Sequence, residues 1–244
     1  MRYIPLFSII LTSCSLPFLR KAPPPYEKVV VVISHDGKGL SAVLPDTAVK
    51  VLKISLIGDY GNRDFHFVKK VHFGVYDGGT ASYVMDPREV AVLETDVGRE
   101  VSEVNLKIHR MMKALKVPGE VELIEPVSNL PDWDNITVKW KGASDMYVLR
   151  IYAFTMMERK DELVLLDSTR YTFDLSSMYG NGFLSVMICP LSGSRPGSDE
   201  RIKVFALGEC VSRTLIVGDT SVWEGETPEP PWNGDDVLWY LLMM

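Results

Sequence analysis

Residues 135–140 read Asn-Ile-Thr-Val-Lys-Trp, and this alternation places Ile136, Val138 and Trp140 on one face with polar residues on the other. A segment of period two is a strand with one buried face, and such a face needs a second layer to cover it. Segments 146–154, 162–166, 170–175, 183–189 and 202–207 follow at short intervals, and 210–217 adds a further candidate. Gly180-Asn181-Gly182 and the polar stretch 192–200 separate them with turn chemistry. The N-terminal half repeats the theme. Residues 29–33 are four valines and an isoleucine, a buried strand ended by His35-Asp36-Gly37-Lys38-Gly39. Candidates at 49–57, 65–76, 81–85, 89–97 and 101–108 are divided by Gly58–Asn62, Asp77-Gly78-Gly79 and Asp86-Pro87. Short strands punctuated by Gly and Asp about every ten residues predict an all-β chain of antiparallel sandwiches. Helix is the competing reading for 88–115, and Arg110 to Lys116 is read as a helical turn.

The 244 residues, 46% of them apolar, suffice for one or two packed domains. The division expected is a leader at 1–13, a Pro-rich tether at 14–27, sandwiches at 28–119 and 120–218, and an acidic tail at 219–244. Lys and Arg total 26 against 32 Asp and Glu, a formal net charge of −6. Phosphate neutralisation needs basic patches, so nucleic acid is not an expected partner. In the tail, Trp223-Glu-Gly-Glu-Thr-Pro-Glu-Pro-Pro-Trp232 lacks core character. The closing run from Val237 to Met244 is apolar but too short to span a bilayer. Its two readings are docking on the second sandwich and an interaction handle.

The second half resembles a fibronectin type III or related immunoglobulin-like domain. The residues that carry the likeness are Ile136 to Trp140, Tyr147-Val-Leu-Arg-Ile-Tyr152, and Tyr171-Thr-Phe-Asp-Leu175 ahead of a Gly-containing corner and Phe183. The resemblance implies two immunoglobulin-like antiparallel β-sandwiches in all. It also makes Trp140 the core tryptophan of the second strand. That family pins the corner before its sixth strand with a tyrosine. Phe183 or Leu184 stands there in this chain, so the corner hydrogen bond is absent or replaced.

At the N-terminus, Arg2 precedes the eight-residue apolar run Ile4 to Leu11, right in length for a signal-peptide core. The run ends Leu11-Thr12-Ser13-Cys14, which resembles the lipobox of bacterial lipoproteins. That resemblance implies cleavage before Cys14 and covalent diacylglycerol and N-acyl lipid on it, with no other cofactor. Ser15, not being Asp, implies sorting to an outer membrane where the cell has one. Ala22-Pro-Pro-Pro25 then reads as a stiff extended tether. The partners expected are the membrane through the lipid, an envelope protein, and in the alternative reading a glycan.

Cys189 and Cys210 are an even pair in an exported chain, and both a disulfide and two separate buried thiols are open readings. A hairpin turning at residues 193–198 does not set them opposite each other. His66 and His72 lie six residues apart with no completing ligand pattern, and read as surface or edge residues. Asp132-Trp133-Asp134-Asn135 offers oxygen ligands for a cation, or simply a turn into the next strand. Trp133, Trp223 and Trp232 are the candidate ligand-contact aromatics; the other reading is that Trp133 covers the end of the sandwich and the tail tryptophans pack locally. No Gly-x-Ser-x-Gly elbow or phosphate-cradling loop occurs, and the carboxylate pairs Asp161/Glu162 and Glu224/Glu226 lack a pocket signature. These features predict a non-catalytic envelope lipoprotein that acts as an interaction or structural module, with carbohydrate binding as the alternative.

Overall fold

The computed structural model describes residues 29–35, 40–45, 54–57, 63–72, 89–95, 103–108, 111–195, 198–222 and 237, 240 and 241. Cys14, the leader, the tether, Trp223, Trp232 and the strand candidate 81–85 lie outside them.

The N-terminal half supplies eight strands: β1 (Val29–His35), β2 (Leu40–Pro45), β3 (Ile54–Ile57), β4 (Arg63–Asp64), β5 (His66–His72), β6 (Glu89–Thr95), β7 (Glu103–Ile108) and β8 (Met111–Lys116). They form two layers, β1-β2-β6-β5 against β4-β3-β7-β8. This is the four-and-three division of a constant-type immunoglobulin sandwich with one further edge strand, β4, added beside β3. Burial alternates strictly along β7, where Val104, Leu106 and Ile108 face inward between exposed neighbours. Those three pack with Ile33, Leu40 and Leu44 across the layers.

The helical reading of Arg110 to Lys116 is corrected here. Met-Met-Lys-Ala-Leu-Lys is built of good helix formers, yet residues 111–116 are β8, paired antiparallel with β7 from Ile108↔Met111 to Glu103↔Lys116. Pairing and the burial of Leu115 override a propensity of a few tenths of a kcal/mol per residue.

The C-terminal half supplies β9 (Val121–Glu125), β10 (Asn135–Gly142), β11 (Met146–Thr155), β12 (Arg159–Leu166), β13 (Arg170–Asp174), β14 (Gly182–Gly193), β15 (Ile202–Leu207) and β16 (Val211–Val217). Sheet β9-β10-β13 faces β12-β11-β14-β16. The core between them holds Ile136, Val138, Trp140, Leu149, Ile151 and Leu184. Trp140 is buried edge-on against Tyr147, with centroids 5.5 Å apart and planes at 70°. The Tyr147 hydroxyl donates to the Gly142 carbonyl at 2.7 Å and closes the β10–β11 turn.

One strand joins the halves. β14 changes partner along its length: Gly182 to Ile188 pair with β16, whereas Leu191 to Gly193 pair with β15. β15 then runs parallel to β1, from Val29↔Ile202 to Ser34↔Leu207. A single nine-stranded sheet therefore crosses the 119/120 division. The side chains of β15 serve both faces. Val204 and Ala206 enter the first sandwich's core, while Phe205 and Leu207 point to the opposite face of the sheet. Gly193, with φ 118°, permits the close crossing, since a Cβ there would lie 2.2 Å from the Val204 carbonyl oxygen.

Candidate interaction surface

Strand direction fixes the ends of the molecule. β14 starts at one pole with Gly182 and runs toward the first sandwich, and β15 and β1 carry on past it. Gly182 to Gly193, then Phe205 back to Ile202, at about 3.3 Å per residue, separate that pole from Val29 by about 45 Å along the strands. The chain enters at Val29, and the loops after β9, β11, β13 and β16 gather at the opposite pole.

Trp133 belongs to that pole's interior. Its side chain is only 5% exposed, and Nε1 donates to the Gly180 carbonyl at 2.7 Å. Of its two readings the structure takes the one in which the ring covers the end of the sandwich, and corrects the ligand-contact one; the bond also pins the β13–β14 corner. The bond fills the place of the missing corner tyrosine. Gly182 is fitted to it, because a Cβ would sit 2.8 Å from the indole Cζ2 and 2.1 Å from the Phe154 carbonyl oxygen. The neighbouring carboxylates serve the backbone. Asp132 Oδ1 accepts from Trp133 N, and Asp134 Oδ1 accepts from Asn135 N, each at 2.7 Å.

The outer face of the shared sheet carries apolar side chains along its length, with Arg150, Ser185 and the buried Lys203 among them. Near the pole, Tyr152, Phe154 and Phe183 form a half-buried aromatic group, with the two phenylalanine centroids 5.1 Å apart and Tyr152 stacked 6.4 Å from Phe154. Burial, the largest influence, raises the Tyr152 pKa above the usual tyrosine value. Arg150 beside it makes a two-pronged contact with Asp161, at 3.0 and 2.8 Å. Toward the junction the same face carries Val148, Met187 and Leu191, then Phe205, Val32 and Val43. Val237 and Leu241 of the tail are buried in this cluster, and Tyr240 packs at its side. The tail thus docks on a face built by both sandwiches, where the sequence suggested the second alone.

At the junction the Cys189 and Cys210 sulfurs lie 2.01 Å apart, at bonding distance, on either side of the point where β14 exchanges β16 for β15. Pro190, which has no N–H to give a ladder, occupies the exchange itself, and its carbonyl accepts from Gly208 N at 2.9 Å. A polar cluster ties the other layer down. Lys113 of β8 donates to Ser194 Oγ at 2.6 Å and to Glu200 Oε2 at 2.8 Å. Ser194 in turn donates to Glu200 at 2.6 Å and accepts from Val204 N at 2.9 Å. The bonds from Lys113 and Ser194 hold the Glu200 carboxyl below its ordinary range. Ser194 shares its hydroxyl with a lysine, yet the carboxylate takes its proton, so the group works as a clasp. No cluster of three or more His, Cys, Asp or Glu suited to a metal occurs among the described residues. The side chains of His66 and His72 lie outside the described set.

Strand order and core define the class: an all-β protein of two immunoglobulin-like sandwiches, the second ordered as a fibronectin type III domain. No family model and no curated protein sequence matches the chain. Among solved structures it is similar to the FN1–FN3 domains of chicken CNTN1, at 10% identity over 80% of this chain and 66% of that one, with a TM-score of 0.26. It is also similar to a chain of a cytokine receptor complex, at 9% identity over 80% of this chain and all of that one, with a TM-score of 0.31. The chain spans slightly less than two thirds of the CNTN1 fragment's length.

Proposed function

We propose that this protein is a non-catalytic, lipid-anchored envelope protein that presents an interaction surface at a fixed distance from a membrane. The observation that supports this most is the sharing of β15: it makes one continuous sheet of two sandwiches. Two sandwiches on a flexible linker reorient independently, whereas two sharing a hydrogen-bonded sheet and a core strand do not. Such a body keeps its far pole about 45 Å from the chain's entry at Val29. Upstream of Val29 stand the Pro-rich tether and the Leu11-Thr12-Ser13-Cys14 sequence. Acyl chains on Cys14 contribute about 0.8 kcal/mol per buried CH₂, so three of them retain a soluble body on a bilayer.

Of the aromatics on which the glycan-binding alternative rests, Trp133 has its indole buried, and Trp223 and Trp232 lie outside the described residues. Metabolic labelling with an alkyne fatty acid tests the anchor. Label and membrane association are expected in the parent protein, and both are lost in Cys14→Ser. Unlabelled parent protein recovered in the soluble fraction defeats the lipoprotein reading.

A further inference from the structure

The large apolar side chains left exposed on the second sandwich are concentrated at its far pole. Met156 and Met157 are 93% and 73% exposed, and Tyr179 and Val222 58% each; Ile124 and Val127 lie short of the pole, where Arg213, opposite Val186, donates to the Pro126 carbonyl. The four at the pole come from three separate loops: the β11–β12 hairpin, the β13–β14 corner and the turn after β16. Single exposed apolar residues are ordinary, but convergence of three loops on one end is a surface that excludes water only when something covers it.

These loops are held in place. Thr155 N donates to the Glu158 carbonyl at 2.8 Å, and the Thr155 hydroxyl accepts from Met157 N and Glu158 N, so the two methionines sit on a closed two-residue turn. The corner bearing Tyr179 is fixed by Trp133 and by Met178 N donating to Leu175 O. Asp219 N donates to Asn181 Oδ1, and Asp219 Oδ1 caps Ser221, which sets Val222. A surface ordered before contact loses little entropy on binding.

Position and charge narrow the occupant. The pole stands at the end of the body opposite the chain's entry, so on the lipid-anchored reading, upon which this inference rests, it faces away from the anchoring leaflet. Asp132, Asp134, Glu158, Asp174 and Asp219 lie on or beside these loops, and Arg159 and Lys160 are the neighbouring cations. A surface with this acidic excess repels anionic headgroups and attracts a basic rim.

We propose that the far pole is the docking surface for a protein partner whose contact face is an apolar recess rimmed by Lys and Arg. Met156 and Met157 enter the recess, where the unbranched thioether side chains adapt to its shape. Tyr179 and Val222 flank them, and the pole's carboxylates meet the rim.

The test installs p-benzoylphenylalanine singly at Met156, Tyr179, Val68 and Met112 of the full chain in intact cells, with irradiation and mass-spectrometric mapping of adducts. Val68 and Met112 are exposed controls on the first sandwich. Adducts are expected from the two pole positions and not from the controls, mapping to apolar residues flanked by Lys or Arg. Met156→Asp with Met157→Asp, at sites with no core contact to lose, is expected to lower the Tyr179 adduct by about tenfold or more at unchanged thermal midpoint. Adducts to phospholipid alone, or binding of the purified unlipidated chain to phosphatidylcholine/phosphatidylglycerol vesicles, overturns the proposal. Mapped contacts on an acidic surface overturn it too. Protein adducts from the controls only refute the pole and leave the interaction reading standing, whereas no protein adduct from any position refutes both.

Discussion

Replacing Trp133 separates a structural tryptophan from a ligand-binding one. In the structure its ring fills the end of the second core beside Gly182, and its N–H satisfies the Gly180 carbonyl at 2.7 Å. Trp133→Ala removes the ring from a site that is 5% exposed, and truncations of this kind cost about 3–5 kcal/mol. Trp133→Phe keeps most of the ring and deletes the hydrogen bond, leaving the carbonyl unpaired, for a loss of about 1–3 kcal/mol. The two variants should therefore rank in that order. The assay is equilibrium urea unfolding followed by far-UV circular dichroism, which avoids the fluorescence of the other four tryptophans. The free-energy differences are taken from the midpoints at constant m-value. A loss below about 1 kcal/mol for Trp133→Ala refutes the corner-pin account, because no buried ring of this size is removed so cheaply. Equal losses for the two variants refute the contribution of the hydrogen bond.

Two further outcomes follow from the junction. Cys189→Ser with Cys210→Ser opens a loop of sequence separation 21, for which chain entropy gives about 3 kcal/mol, and the same loss should appear in the parent protein under reductant in a urea titration. The Glu200 carboxyl is held below its ordinary range by hydrogen bonds from Lys113 and Ser194, so the folded state binds its proton less readily than the unfolded state does. Its contribution is present above the ordinary glutamate value and is lost as pH falls through the folded one. Thermal midpoints measured on acidification should decline less steeply in Glu200→Gln than in the parent, and parallel curves would count against the clasp.

The strands most legible in the sequence were those that bury one face and alternate, such as β7 and β10. β2 and β9 escaped notice. Val121-Glu-Leu-Ile-Glu125 is short, and its alternation becomes meaningful only beside β10, which it pairs from Gly142↔Val121. β8 read as helix because its composition favours one, and only its partner β7 decides otherwise. The cysteine pair shows the limit of local reasoning. Turn residues at 193–198 suggested a hairpin centred there, but the register Leu191↔Leu207 centres it near Asp199, which brings residue 189 to the neighbourhood of residue 210. Trp133 looked like a loop aromatic between two aspartates. Its acceptor lies 47 residues away at Gly180, and no spacing rule reaches that far. The parallel pairing of β1 with β15 joins residues more than 170 positions apart, so no sequence window contains it.

That pairing has a consequence for how the protein comes into being. A ribosome delivers β1 more than 170 residues before the strand that completes its edge and contributes Val204 and Ala206 to its core. The N-terminal sandwich therefore stays open-edged until residue 207 has been made. The topology makes completion of the first sandwich wait on a strand made after most of the second. The chain's two halves then close together, once residue 207 has joined them.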